Sequence, residues 1–266
     1  MKKYLVIGNP IDHSLSPKLH NYWIKKNNID AIYEKKKINE TDIEFIISEI
    51  KNDKINGINV TVPFKKSVIP FIDDLSFEAK ETQSVNTIHK ENQRIVGHNT
   101  DIFGFVSAIK HNKISLNGKK VCILGAGGVV PSIIVAFKKM SVSKIIISNR
   151  TKQKAEELKN NFKELEVVNW KDIPTDVDVI VNATSIGLNK DEDIKLKYTE
   201  LGSKKLFYDV IYNPSQTNFL KNAKAYGNYI DNGKMMFIYQ AKESFKIWHN
   251  INPKIDENTL ELLNNI

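Results

Sequence analysis

Apolar residues recur along this chain in two rhythms, and each predicts a different kind of element. Short runs at 4–7, 121–124, 144–148, 177–183 and 206–211 are dominated by apolar and β-branched residues and predict buried strands. Alternation over Gly57-Ile58-Asn59-Val60-Thr61-Val62, closed by Pro63, predicts a strand whose polar residues Asn59 and Thr61 share one face. Runs at 85–88 and 94–96 flank Glu91-Asn92-Gln93 and predict a hairpin. Elsewhere the period becomes helical. Ile43, Ile46, Ile47 and Ile50 follow a capping box at Thr41-Asp42-Ile43-Glu44. Ala155, Leu158 and Phe162 follow Thr151, and 129–140 reads as a further helix. Ser16-Pro17 is a helix start, with serine as cap and proline at the first helical position. Residues 212–217 turn into another helix. One more runs from Gly233-Lys234-Met235-Met236 to near Asn250, and a last one covers 257–265.

The order of these elements divides the chain. Strand–helix units repeat from 121 to about 230, the pattern of a doubly wound parallel sheet. They open on Val121-Cys122-Ile123-Leu124-Gly125-Ala126-Gly127-Gly128, an apolar run that stops in glycines. Gly125 permits a tight turn, Gly127 lets the backbone approach a pyrophosphate, and Gly128 leads into a helix whose N-terminus faces the phosphates. A lone G-x-G often only turns a chain, but this one lies between strand and helix, the setting of a dinucleotide site. Val130 occupies the sixth position, where the motif has Gly or Ala, and that departure bears on the closest strand–helix packing. An NAD site places an acid near the end of the next strand. Here Asn149-Arg150-Thr151 stands instead, and Arg150 offers a planar cation for a 2′-phosphate, with Lys154 nearby. Thr151 either joins that contact or caps the following helix, and the two are compatible.

Composition narrows the function classes. A length of 266 residues suits about two domains. The net charge of +8 permits anionic partners, but the lysines are scattered and no basic–aromatic module for nucleic acid is present. Solvated lysines and anionic small molecules account for the charge. The single cysteine, Cys122, lies in a buried run and reads as an inert core thiol. The apolar run at 4–7 is too short for a signal peptide, and no run is long enough to span a membrane, so the expectation is a soluble, cytoplasmic protein. None of the six histidines stands at metal-ligand spacing from another, so no metal is expected. There is no serine-nucleophile elbow and no P-loop.

The first hundred residues hold polar side chains whose roles spacing alone leaves open. Ser14 and Ser16 either cap the helix or face a polyhydroxylated ligand together. Lys65 follows the proline that closes the 57–62 strand, in a loop where a lone lysine is usually solvated surface. Asp101 in Asn99-Thr100-Asp101 opens a helix, a place where an acid is more often a cap than a catalyst.

Taken together, these stretches resemble the shikimate dehydrogenase family over nearly the whole chain. The resemblance rests on Gly8 to Asn21 with its His13-Ser14-Leu15-Ser16-Pro17, on Asn59 to Lys65, on Val85-Asn86-Thr87 and on Asn99-Thr100-Asp101. It implies an α/β protein with a discontinuous α/β catalytic domain, 1–101 completed by 235–266, and a Rossmann domain of doubly wound parallel sheet, 102–234. Substrate would lie in the cleft between them. It also implies reversible NADPH-dependent reduction of 3-dehydroshikimate to shikimate, with Lys65 and Asp101 catalytic. Ser14, Ser16, Asn59, Thr61, Asn86, Tyr212 and Gln240 would hold shikimate. NADP(H) would be held by Gly125, Ala126, Gly127, Gly128, Asn149, Arg150, Thr151, Lys154, Thr184, Ser185 and Gly233. No nucleic acid or membrane partner is expected, and the assembly is a monomer or homodimer. Two alternatives stand beside this reading: a quinate/shikimate relative of looser specificity, and a non-catalytic cofactor sensor on the same fold.

Overall fold

The computed structural model describes residues 1–263, and the chain resolves into two compact units, Met1–Gly104 with the chain from Ile238 onward, and Phe105–Phe237. The first unit contains β1 (Lys2–Gly8), α1 (Ser16–Lys26), β2 (Ala31–Lys37), α2 (Ile43–Lys51), β3 (Gly57–Val60), β4 (Asp74–Leu75), α3 (Phe77–Thr82), β5 (Thr87–Glu91) and β6 (Arg94–His98). Its sheet has the order β2-β1-β3-β5-β6-β4, with β5 antiparallel to both β3 and β6 and the other pairs parallel. Every residue of β3 is buried, so the strand predicted from alternation is covered on both faces and ends at Val60, before Thr61.

Helix α4 (Asp101–His111) carries the chain onward. There follow β7 (Lys120–Leu124), α5 (Val130–Lys139), β8 (Lys144–Ser148), α6 (Lys152–Asn161), β9 (Glu166–Val168), β10 (Val179–Asn182), α7 (Tyr198–Leu201), β11 (Leu206–Asp209), α8 (Asn218–Ala225) and β12 (Tyr229–Asn232). The sheet order β12-β11-β10-β7-β8-β9 is parallel throughout. Renumbered within this unit the order is that of a doubly wound dinucleotide-binding sheet, with the switch point between β7 and β10. Helix α9 (Lys234–His249) returns the chain to the first unit, and α10 (Glu257–Glu261) follows. The last predicted helix therefore ends at Glu261, and the rest of its span from 264 lies outside the described residues.

Packing explains the elements. In the first unit Leu5, Ile7, Ile58, Val60, Ile88 and Ile95 meet Ile43, Ile46, Ile47 and Ile50 of α2 in one core. The aromatic residues His20, Trp23, Tyr33, Phe245 and Trp248 form a second cluster. A Cβ at Gly57 would sit 2.6 Å from the Trp248 ring, so glycine there makes room for the indole. In the second unit α5 is buried from Ser132 to Phe137, as expected of a helix apolar nearly all round. Phe137 packs edge-on against Phe105 at 5.2 Å. Cys122 is fully buried and its thiol is pushed up to about 12 by desolvation, the state of an inert core sulfur.

Helix starts correct several expectations. Ser16 is the first residue of α1, and Leu15 stands at its cap without a side-chain bond. Near 41 a short 3₁₀ turn, Glu40–Asp42, precedes α2, and Asn39 N–H donates to Asp42 Oδ2 at 2.7 Å, so the box begins at Asn39 and not at Thr41. Thr151 sits at the cap of α6 with extended backbone but makes no cap hydrogen bond. The hairpin is longer than predicted: Glu91 belongs to β5, and Asn92 and Gln93, both at positive φ, make the two-residue turn.

Candidate active site

In the first unit the polar residues singled out by sequence converge through hydrogen bonds. Lys65 Nζ meets Asp101 Oδ2 at 2.6 Å, with the two side chains only 12% and 7% exposed. The Lys65 carbonyl accepts from Val85 N–H at 2.8 Å, which pins the lysine beside the chain that carries Asn86. Asn86 Nδ2 donates to the other carboxylate oxygen, Asp101 Oδ1, at 2.9 Å, and Asn86 Oδ1 accepts from Thr100 N–H at 2.8 Å. The ordinary role of a helix-opening acid falls to Asn99, whose Oδ1 accepts from the N–H groups of Asp101 and Ile102. That cap releases the Asp101 carboxylate for Lys65.

Beneath this pair lies a frame of buried polar groups. Asn59 Oδ1 accepts from the Tyr33 hydroxyl at 2.7 Å, and its Nδ2 donates to Asn86 O, Thr87 Oγ1 and Ser244 Oγ. Burial pushes the Tyr33 phenol well above its usual range, while a hydrogen bond from Ser16 acts the other way. A connected path thus runs from Ser16 through Tyr33, Asn59 and Asn86 to Asp101 and Lys65. Ser14 is half-buried, and its Oγ accepts a long 3.4 Å bond from Ser16 N–H. Thr61 directly follows β3 and its methyl packs against Gly8. Gln240, half-buried on α9, accepts the Ser244 hydroxyl on its backbone carbonyl at 3.0 Å. Tyr33 and Ser244 escaped the sequence reading. The alternation of β2 and the four-residue step from Gln240 to Ser244 were the only local signals.

The second unit places the glycine loop at the switch point. Gly125 adopts φ +114°, and a Cβ there would lie 2.8 Å from the Ala183 carbonyl oxygen, so only glycine fits between β7 and β10. Its N–H donates to Ser148 O at 2.9 Å and ties the loop to β8. Gly127 differs: a Cβ would meet nothing nearer than Ala183 O at 3.9 Å, so its backbone faces open space. Ala126, Gly127 and Gly128 lead into the N-terminus of α5, a ready cradle for phosphate. Val130 in the sixth position is fully buried there, and its N–H donates to Gly127 O at 3.0 Å. Arg150, Thr151 and Lys154 are exposed just past β8, with Asn149 Nδ2 donating to Thr151 O at 2.7 Å. These residues fit a 2′-phosphorylated dinucleotide.

The loop after β10 is held from inside. Asn182 Oδ1 accepts from the Thr184 hydroxyl at 2.7 Å, while its Nδ2 donates to Ile186 O and Asp209 Oδ1. Ser185 remains exposed. Asp209 also accepts from Ile211 N–H and from the Thr217 hydroxyl at 2.6 Å; burial pushes it up to about 6 against these bonds. Tyr212 follows on that loop with its ring stacked on Phe237 at 4.7 Å. Gly233 has a packing reason of its own. A Cβ there would strike Val210 O at 2.1 Å, so the chain before α9 crosses directly over the end of β11.

Two family models cover most of the chain: the shikimate dehydrogenase substrate binding domain matches residues 6–88, and shikimate / quinate 5-dehydrogenase matches residues 107–212. The chain belongs to the shikimate dehydrogenase family. A relative from Pelagibacter ubique (strain HTCC1062), named shikimate dehydrogenase (NADP(+)), is 56% identical over 262 residues, 98% of each chain. The shikimate dehydrogenase crystal structure from Aquifex aeolicus superposes with a TM-score of 0.91 at 36% identity, over 100% of this chain and 98% of that one. The Thermus thermophilus enzyme, solved in complex with NADP(H) and shikimate, gives a TM-score of 0.87 at 29% identity, over 99% and 98%. These family members are thus similar to this chain from end to end, in both units.

Proposed function

We propose that this chain catalyses the reversible reduction of 3-dehydroshikimate to shikimate with NADPH. The observation that carries the reading is the Lys65–Asp101 pair, 2.6 Å apart and framed by Asn86 within a family of shikimate dehydrogenases. When bound, NADPH supplies the hydride. The protein's task is the proton. Lys65 Nζ lends a proton to the ketone oxygen as negative charge develops there, and in the oxidative direction the neutral amine takes it back from the hydroxyl. A positioned acid–base group of this kind contributes roughly 10²–10⁴-fold. Asp101 Oδ2 accepts from the ammonium and aims it; Asn86 and the Asn99 cap fix the carboxylate in turn. Ser14, Ser16, Thr61 and Gln240 of the first unit, and Tyr212 of the second, are the candidates for holding ring hydroxyls and carboxylate. Asn59 supports them from below.

The glycine loop with Ala126 and the N-terminus of α5 takes the pyrophosphate. Arg150, with Thr151, Lys154 and Asn149, takes the 2′-phosphate, and Thr184, Ser185 and Gly233 border the remainder of the dinucleotide. The test is direct. Mixing the protein with NADPH and 3-dehydroshikimate should consume NADPH absorbance. No consumption with that substrate, or a faster reverse reaction from quinate than from shikimate, would overturn the assignment.

A further inference from the structure

The hairpin of β5 and β6 brings together two histidines that neither the proton transfer nor the cofactor loop uses. In its register Thr87 faces His98 and His89 faces Val96, so the two imidazoles are diagonal neighbours on one face of an antiparallel ladder. Their Nε2 atoms are 3.2 Å apart, with ring centroids at 5.2 Å and planes tilted by 40°. Both residues are half-buried. Nine residues of separation concealed the pair from a reading of ligand spacing.

The separation has a chemical meaning. Two nitrogen ligands on a tetrahedral ion at about 2.0–2.1 Å lie roughly 3.3 Å from each other. The pair holds that spacing, with one ring donating Nε2–H and the other accepting. Neutral imidazole is the ligating form. Desolvation lowers His89, and desolvation with the neighbouring His89 holds His98 at about 4, so both rings are neutral at pH 7. The charged groups that face them are Glu91 of the same hairpin and Glu78 of α3, both favourable to a cation.

We propose that His89 and His98 form a bidentate site for a divalent transition metal of the imidazole-binding class, represented by Zn²⁺, Ni²⁺ or Cu²⁺. No cluster of three or more His, Cys, Asp or Glu side chains suited to a metal occurs among the described residues, so water completes the coordination. On binding, the donor ring moves its proton from Nε2 to Nδ1, and both lone pairs turn to one point. The ion then cross-links β5 to β6, three residues before Asp101.

The test uses the untagged full-length chain and Ni²⁺ as probe, followed by titration calorimetry and thermal melting at pH 7.5. Wild type should bind one ion and melt at a higher temperature with it. His89→Gln and His98→Gln should each weaken binding at least about tenfold, because the second ligand binds intramolecularly. Both should keep the metal-free melting temperature and kcat. A His13→Gln/His111→Gln double variant, altering two exposed histidines, should bind as wild type does. One equivalent of Cu²⁺ should show two coupled nitrogens by electron paramagnetic resonance in wild type and fewer in either single variant. Unchanged Ni²⁺ affinity in both single variants, or no binding to wild type at millimolar Ni²⁺, would overturn the proposal.

Discussion

Asn86 Nδ2 reaches Asp101 Oδ1 at 2.9 Å, so the carboxylate that holds Lys65 is itself held by an amide rooted between β3 and β6. Three side chains therefore share one geometry, and the lysine is the one that carries a transferable proton toward substrate. Lys65→Ala should lower kcat by roughly 10²–10⁴, the size of a general acid–base contribution. Binding of NADP, followed by fluorescence titration, should stay within twofold. A kcat near that of wild type would remove Lys65 from the reaction.

Asn59 and Ser14, grouped together by sequence, should separate in experiment. Asn59 is buried with partners on both its oxygen and its nitrogen, and Asn59→Ala takes away the acceptor of the buried Tyr33 hydroxyl. That should cost about 1–3 kcal/mol of stability, the usual penalty for a buried donor left without its acceptor. Ser14 makes one long bond, so Ser14→Ala should raise KM for shikimate with no change in melting temperature. Melting curves and KM from the same preparations decide both.

Arg150 stands directly after β8, where the adenosine ribose rests in this fold. A charge-assisted hydrogen bond to a 2′-phosphate contributes about 1.5–3 kcal/mol, which predicts roughly ten- to a hundred-fold preference for NADP over NAD. Arg150→Asp should raise KM for NADP strongly and leave NAD use unchanged or improved. High salt should erode the wild-type preference, since the contact is exposed to screening. Equal kcat/KM for both cofactors in wild type would refute this role.

Asp209 gives stability a pH dependence of defined sign. Its folded value, about 6, lies above the ordinary carboxylate value, so the stability it contributes is full below about pH 4 and lost as pH rises through 6. Above that, the buried charge costs roughly 3 kcal/mol. Asp209→Asn keeps the side chain's shape, and the Thr217 hydroxyl can turn to accept from it. The variant's stability relative to wild type, from denaturant titrations, should rise between pH 4 and 6 and stay level above. A difference that is flat from pH 4 to 8 would contradict the assignment.

His20 supplies the opposite sign. It is buried to 1% exposure, stacked on Tyr33 at 4.3 Å, with no hydrogen bond from either ring nitrogen to any of the described residues, and burial with the nearby His249 holds it at about 3. Only the unfolded chain takes up its proton between pH 6.5 and 3, so stability should fall by about 1.4 kcal/mol per pH unit from this group as pH drops through that window. His20→Phe should remove that slope. Its melting temperature at pH 5 should exceed that of wild type by more than at pH 7.5.

The order of elements was legible in the chain itself. The run Val121 to Leu124 must be a buried strand because nothing polar interrupts it, and the glycine that stops it marks a tight turn; that Ala183 leaves Gly125 no room for a Cβ was decided by the pairing of β7 with β10. The absence of an acid after Ser148 and the presence of Arg150 are likewise facts of sequence with a direct electrostatic consequence. The role of Asp101 was not legible locally, since an acid at a helix start normally serves as its cap; only the folded chain shows Asn99 taking that place. The support that Asn59 draws from Tyr33 and Ser244 joins residues 26 and 185 positions apart, and the His89–His98 pair depends on strand register. Hydrogen bonds of that range leave no periodic trace, because periodicity records which face of an element is buried and not which distant group meets it there.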